Sequence, residues 1–126
     1  MDTLKVYLAG AAWNRNLINI VQNYLEMCYP MKVISRWHQL DPEYDLRTRA
    51  KIDFEDIDLS DLIIVFYPYG DNGTLCELSY SFARRKKVLY VRPKDAEEED
   101  PLIVGLFPKD FLFNTNLELY SYLNTL

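Results

Sequence analysis

Cysteine is scarce in this 126-residue chain: Cys28 and Cys76 stand far apart and outside any paired metal spacing. Neither a disulfide framework nor a structural zinc site can be built from them, so both read as reduced, part-buried thiols. Histidine occurs once, as His38; with no companion at metal or triad spacing, it reads as an ordinary polar contact. No apolar run approaches the length that crosses a bilayer. The chain passes from Met1-Asp2 straight into Leu4-Lys5-Val6-Tyr7-Leu8, without a basic region, a long apolar run or a small-residue cleavage site. The expectation is a soluble, cytoplasmic protein with no membrane contact. A broad basic surface is lacking too. The formal net charge is -5, and apart from Arg84-Arg85-Lys86-Lys87 the cations are scattered, which disfavours polymeric nucleic acid as a partner.

Several nucleotide signatures are missing as well. The chain has no GxxxxGK(S/T) phosphate loop, and Gly10 is followed by Ala11-Ala12-Trp13 rather than by the rest of a GxGxxG turn, which disfavours a mononucleotide-dependent kinase or a dehydrogenase. No acidic pair follows the first apolar run, so a magnesium-dependent phosphoacceptor domain is not indicated. No serine triad is supported.

What is present suffices for one domain spanning residues 1–126: 49% of the residues are apolar and 14% aromatic. Residues 4–9 favour a strand ending at Gly10. From about Asn16, the apolar residues Leu17, Ile18, Ile20, Val21, Tyr24, Leu25 and Cys28 recur at helical spacing until Pro30. Residues 31–35 form a brief second strand, and the polar, aromatic stretch after it is a loop passing into a helix near residue 43. The acidic segment containing Asp53, Asp56, Asp58 and Asp61 reads as a short helix or turn. Residues 62–67, Leu-Ile-Ile-Val-Phe-Tyr, have the continuous apolarity of a parallel strand covered on both faces. Pro68, Gly70 and Gly73 interrupt it, and a helix over 74–85 follows, with Thr74 available as its cap. Residues 88–91 are a further buried strand, 97–100 a solvated acidic loop, 101–107 the start of another helix, and 111–113 an edge strand before a short terminal helix.

Strands and helices therefore alternate, which predicts an α/β three-layer sandwich, flavodoxin-like or Rossmann-like, around a mainly parallel five-stranded sheet. Ligands of such sheets bind at the carboxyl ends of the strands, so Gly10 to Arg15 and Pro68 to Glu77 are the segments to search. The chemistry on offer there is carboxylate chemistry. Asp71 lies in the loop after the central strand, Glu77 six residues later in the next helix, and Gly73 lets a substrate approach the backbone. Two carboxylates near one pocket can divide nucleophilic and proton-transfer roles; an acidic loop before a capped helix is also common in proteins with no such chemistry.

Taken together, Tyr7-Leu8-Ala9-Gly10-Ala11-Ala12-Trp13, the acidic run Asp53 to Asp61 with its apolar strand, and Asp71-x-Gly73-x-x-x-Glu77-Leu-Ser-Tyr80-Ser-Phe-Ala83 resemble the nucleoside 2-deoxyribosyltransferase family over roughly residues 4–92. The resemblance implies an α/β enzyme that needs no metal or organic cofactor. It would cleave the bond between base and 2-deoxyribose and pass the sugar to another base; a related branch hydrolyses deoxynucleoside monophosphates. Glu77 would be the covalent nucleophile and Tyr7 would hold its carboxylate. Asp71 and Asp53 would contact the base, one of them shuttling a proton. Trp13 would pack on the base, although it could equally serve a core or an interface. Gly10, Gly73 and Thr74 would border the substrate. The serine, arginine and glycine run that binds phosphate in the monophosphate branch is unmatched except by Arg15, which favours a free nucleoside. The asparagine that a neighbouring subunit supplies in the transferases has only Asn114 and Asn116 as substitutes. The implied partners are a small nucleoside or nucleotide, a free nucleobase, and further copies of the chain that share active sites. A module that binds nucleotides without turning them over is the alternative from another class.

Overall fold

Strand β1 (Leu4–Ala9) is buried from Val6 onward, and every element that carries the candidate site is positioned against it. The computed structural model describes residues 3–39, 45–66, 72–92 and 111–126. After β1, a 3-10 turn (Ala12–Asn14) leads into α1 (Arg15–Cys28), which buries Ile18, Val21 and Leu25 and ends where Tyr29 is extended ahead of Pro30. The short β2 (Met31–Val33) follows, then a second 3-10 turn (Trp37–Gln39). Helix α2 (Leu46–Leu59) is started by Asp45, whose carboxylate accepts from the Thr48 amide at 2.9 Å and the Thr48 hydroxyl at 2.7 Å. Next come β3 (Leu62–Phe66), α3 (Asn72–Ala83), β4 (Lys87–Val91), β5 (Leu112–Phe113) and α4 (Asn116–Leu123). Thr115 caps α4, accepting from the Glu118 amide at 3.1 Å, while the Glu118 carboxylate takes the Asn114 amide at 2.7 Å.

The five strands lie in the order β2-β1-β3-β4-β5 and every pairing is parallel. That is the flavodoxin-like order, with its switch point between β1 and β3. Right-handed crossovers put α1 on one face, and α2 and α3 on the other. The contacts agree: Tyr24 of α1 stacks on Tyr120 of α4 at 4.3 Å, and Phe54 of α2 stacks on Tyr80 of α3 at 4.4 Å. All five residues of β3 are buried, which explains the unbroken apolar run.

Three expectations change. The acidic segment up to Asp58 is neither a turn nor a short helix but the second half of the 14-residue α2. Its helical period is masked because the face turned to the sheet carries charge, with Asp56 buried beside Ile57. Helix α3 begins at Asn72, so Thr74 is not its cap but a buried residue of the first turn. Cys28 and Cys76 are free but exposed rather than part-buried. The expected 97–100 loop and 101–107 helix lie outside the described residues.

Candidate active site

Because β2 stops at Val33 while β1 continues to Ala9, the outer backbone groups of Leu8 have no strand beside them. Side chains take the place of that strand. The Leu8 amide donates to Ser35 Oγ at 3.2 Å, and Trp37 Nε1 donates to the Leu8 carbonyl at 2.6 Å. Ser35 Oγ is 2.8 Å from His38 Nε2, and His38 Nδ1 is 2.7 Å from Asn19 Oδ1. Since the amide oxygen only accepts, the network assigns the proton to Nδ1 and makes Nε2 the acceptor from Ser35. Burial, then the positive charge of Arg15, lowers the His38 pKa to about 4. The imidazole is therefore neutral at physiological pH and works as a strut.

This strut holds Trp37 as one wall of a cavity of about 270 Å³ at the carboxyl ends of β1 and β3. Glu77, Asp53, Gly10, Gly73, Thr74 and Arg49 also line it. Glu77 comes from the second turn of α3 and Asp53 from the middle of α2, the two helices packed on the same sheet face. Tyr7 rises beneath them from β1. Its hydroxyl is buried, within the influence of both carboxylates. Burial first, then the negative charges of Glu77 and Asp53 and hydrogen bonding to Glu77, holds the phenol well above its ordinary pKa. Tyr7 thus remains a proton donor next to Glu77.

Asp53 differs from the other carboxylates of its segment. Asp56 is gripped by Arg36, whose Nη2 lies 2.9 Å and whose backbone amide lies 3.1 Å from it. Asp58 accepts from Tyr80 at 2.8 Å and from Arg84 Nε at 2.8 Å. Asp61 accepts from the Lys5 amide at 2.9 Å. Each of these three secures the packing of α2 or β1. Asp53 Oδ1 is buried with no hydrogen-bond partner among the described residues. Burial, then repulsion from Asp56, raises its pKa to about 6, against the opposing pull of Arg49 and Arg36. A carboxyl poised there can hold a proton to give and take it back.

The remaining expected residues fall as follows. Asp71 lies outside the described residues. Gly10 borders the cavity, but a Cβ there would meet Ile18 Cδ1 at 3.0 Å, so the glycine serves the close seating of α1 on the strand end. Arg15 starts α1 close enough to His38 to bear on its charge, and its Nε is buried without a hydrogen-bond partner among the described residues. Trp13 is not in the carboxylate cavity. It is 70% exposed and forms the rim of a second groove, of about 310 Å³, with Asn14, Phe66, Arg92, Asn114 and Asn116. The two substitute asparagines therefore sit with Trp13 rather than with Glu77. Arg49 and Trp37 were not foreseen; once α2 is known to be a helix, the four-residue step from Arg49 to Asp53 places both on one face. Among the described residues, no group of three or more His, Cys, Asp or Glu could hold a metal ion, and no helix is long and apolar enough to cross a membrane.

The same architecture occurs in solved structures. The Clostridium botulinum CMP N-glycosidase BcmB superposes with a TM-score of 0.71 at 22% identity, covering 96% of this chain and 98% of that one. The chain shares the fold of that protein. A 2-deoxyribosyltransferase from Bacillus psychrosaccharolyticus matches at TM-score 0.58 and 24% identity, with 86% and 82% of the two chains covered. A conserved protein from Enterococcus faecalis V583 matches at 0.61 and 18%, with 82% and 72% covered. No protein-family model and no curated protein sequence matches the chain.

The unsatisfied Asp53 carboxyl has a measurable consequence for stability. Its pKa is 3.8 when unperturbed and about 6 in the fold. The folded state therefore binds the proton more tightly, and stability falls as pH rises from about 4 to about 6, with the full penalty above that range. Discounted for partial solvent access, the penalty is about 1 kcal/mol. Asp53→Asn is expected to raise Tm by about 3–5 °C at pH 8 and to leave it unchanged at pH 3. Equal Tm values at pH 8 in a calorimeter would refute the strain assigned to this carboxyl.

Proposed function

We propose that the chain belongs with the nucleoside 2-deoxyribosyltransferases and N-glycosidases and cleaves the N-glycosidic bond of a small deoxynucleoside or nucleotide by double displacement. The observation that carries this reading is the meeting of Glu77, Tyr7 and a proton-holding Asp53 at the switch point of the sheet. In the first step a Glu77 carboxylate oxygen bonds to the anomeric carbon as the bond to the base breaks. The electron pair of that bond leaves with the base, and Asp53 or Asp71 gives the base a proton. In the second step another base, returning a proton to the same carboxyl, takes the sugar from Glu77 with net retention. Tyr7 steadies the nucleophile by its hydroxyl, and Gly73 and Thr74 border the sugar. The likeness in fold to enzymes of this chemistry is consistent with the reading, and we take the protein to act in the cytoplasm.

A second reading, hydrolysis of a deoxynucleoside monophosphate, is favoured by Arg15, whose buried Nε has no hydrogen-bond partner among the described residues and whose charge acts on His38, next to the cavity wall Trp37. One experiment separates the two. Incubation of a deoxynucleoside with a different free base is expected to yield the exchanged nucleoside, and Glu77→Ala to abolish it. Release of free base and sugar phosphate from monophosphates without any acceptor would replace the transferase by the hydrolase. Exchange that persists in Glu77→Ala would remove Glu77 as nucleophile.

We infer further that copies of the chain pair through α1. Trp13, Leu17, Ile20, Tyr24 and Met27 follow each other at steps of four, three, four and three, and all are exposed, Ile20 at 64% and Met27 at 85%. This is the spacing of a helix seam built to meet another helix. Leu117 of α4, the helix stacked on α1 through Tyr120, is exposed as well. Together these side chains present roughly 700 Å² per copy, judged from whole-side-chain areas. Doubled, that falls within the size of a stable interface, and a second copy seated there would reach the Trp13 groove. Light scattering is expected to give twice the 14.9 kDa chain mass and Ile20→Asp to give a monomer; a monomeric wild-type chain excludes the pairing.

A further inference from the structure

The cavity contains a guanidinium that the proposed reaction leaves unused. Arg49 lies one helical turn before Asp53, so the two side chains share a face of α2, and both line the cavity with Glu77. Arg36, the other arginine whose charge acts on Asp53, is held by Asp56 and Glu55. Arg49 makes no side-chain hydrogen bond or ion pair among the described residues; its backbone amide is bonded to Asp45. A cation that no described residue holds by a side-chain hydrogen bond or ion pair, on the wall of a pocket lined by two carboxylates, is placed to meet something that enters.

A guanidinium only donates hydrogen bonds, and the acid form of Asp53 donates its proton. The α2 wall therefore offers two donors side by side. They complement a base edge carrying two adjacent acceptors, a ring nitrogen next to a carbonyl oxygen. Cytosine has such an edge at N3 and O2, and guanine has one at N7 and O6. Uracil and thymine place a donor N3–H between their carbonyls, and adenine places an amino donor beside its ring nitrogen.

We propose that Arg49 is the base-selecting residue of this site, pairing with Asp53 to grip an acceptor–acceptor edge of the leaving base and to take up the negative charge that reaches that base as the glycosidic bond breaks. The inference rests on the glycosidic-bond reading above. The proton passes from the Asp53 oxygen to the ring nitrogen, the bond electrons move onto the base, and Arg49 then faces both the neutralised base and the new Asp53 carboxylate. The groups facing Asp53 are Arg49 and Asp56 on its own helix, Arg36 from the segment after β2, Tyr7 from β1 and Glu77 from α3. Of these, Arg49 and Arg36 favour the charged form of Asp53, and only Arg49 lines the cavity.

The test compares kcat/KM for the deoxynucleosides and deoxynucleoside monophosphates of all four bases, across pH 4 to 9, in the wild-type chain, Arg49→Gln and Arg49→Lys. The wild-type chain is expected to prefer cytosine and guanine substrates by about tenfold to a hundredfold and to lose activity above about pH 6, where Asp53 loses its proton. Arg49→Gln should erase the preference and move the falling limb to higher pH. Arg49→Lys should keep the limb in place and lose part of the preference, because an ammonium supplies the charge without the fork. Cleavage by Arg49→Gln with unchanged base preference and an unmoved limb overturns the role of Arg49 and leaves the glycosidic reading standing. No cleavage of any substrate by the wild-type chain overturns both.

Discussion

The structure turns on how the outer edge of β1 is completed. A strand of six residues beside a strand of three leaves backbone groups facing an empty edge, and buried backbone groups must be paired. Here Ser35 and Trp37 pair them, and the Asn19–His38 contact fixes Ser35 in turn. A longer β2 would satisfy the same atoms but would carry its backbone past the point where the cavity opens. Ending the strand and closing the edge with side chains keeps Tyr7 and Leu8 rigid while leaving space above them. The indole that closes the edge is also a wall of that space.

The second organising constraint is how α2 distributes its acidic residues. Asp56 and Asp58 are paired with arginine, and Asp56 is among the most buried polar groups of the fold. These contacts fix α2 against the sheet and against α3. Asp53 is then carried into the cavity by a helix that has no freedom to withdraw it, and its desolvation is offset by other parts of the fold. A site that keeps a buried carboxyl short of partners is destabilising in itself and persists because the surrounding structure over-determines it.

Much of this was legible in the residues. The apolar runs of β1, β3 and β4 lie where burial on both faces requires them, and the alternation of strand and helix led directly to the parallel sheet. The carboxylate cavity was legible as two separate segments, around Gly10 and before Glu77. Helix α2 was legible only in pieces, as a helix starting near residue 43 and a short helix or turn after it, because Arg47, Arg49, Lys51, Asp53, Glu55, Asp56 and Asp58 hide the 3.6-residue period of one continuous helix. Reading it in two pieces also hid Arg49, whose relation to Asp53 exists only along one continuous helix. The part taken by Trp37 and Ser35 depends on β2 ending at Val33, which nothing local in residues 31–35 announces. Trp13 was open between base contact, core and interface; it stands exposed in the 3-10 turn before α1, outside the core and the carboxylate cavity.

The central claim is that Glu77 forms a bond to the sugar. The most direct measurement is the intact and peptide-resolved mass of the protein after rapid acid quench during turnover of a deoxynucleoside without acceptor base. A single added deoxyribosyl group on the peptide containing Glu77, absent from Glu77→Gln, is the predicted result. Turnover with no adduct at any quench time, together with a product of inverted anomeric configuration, would contradict it.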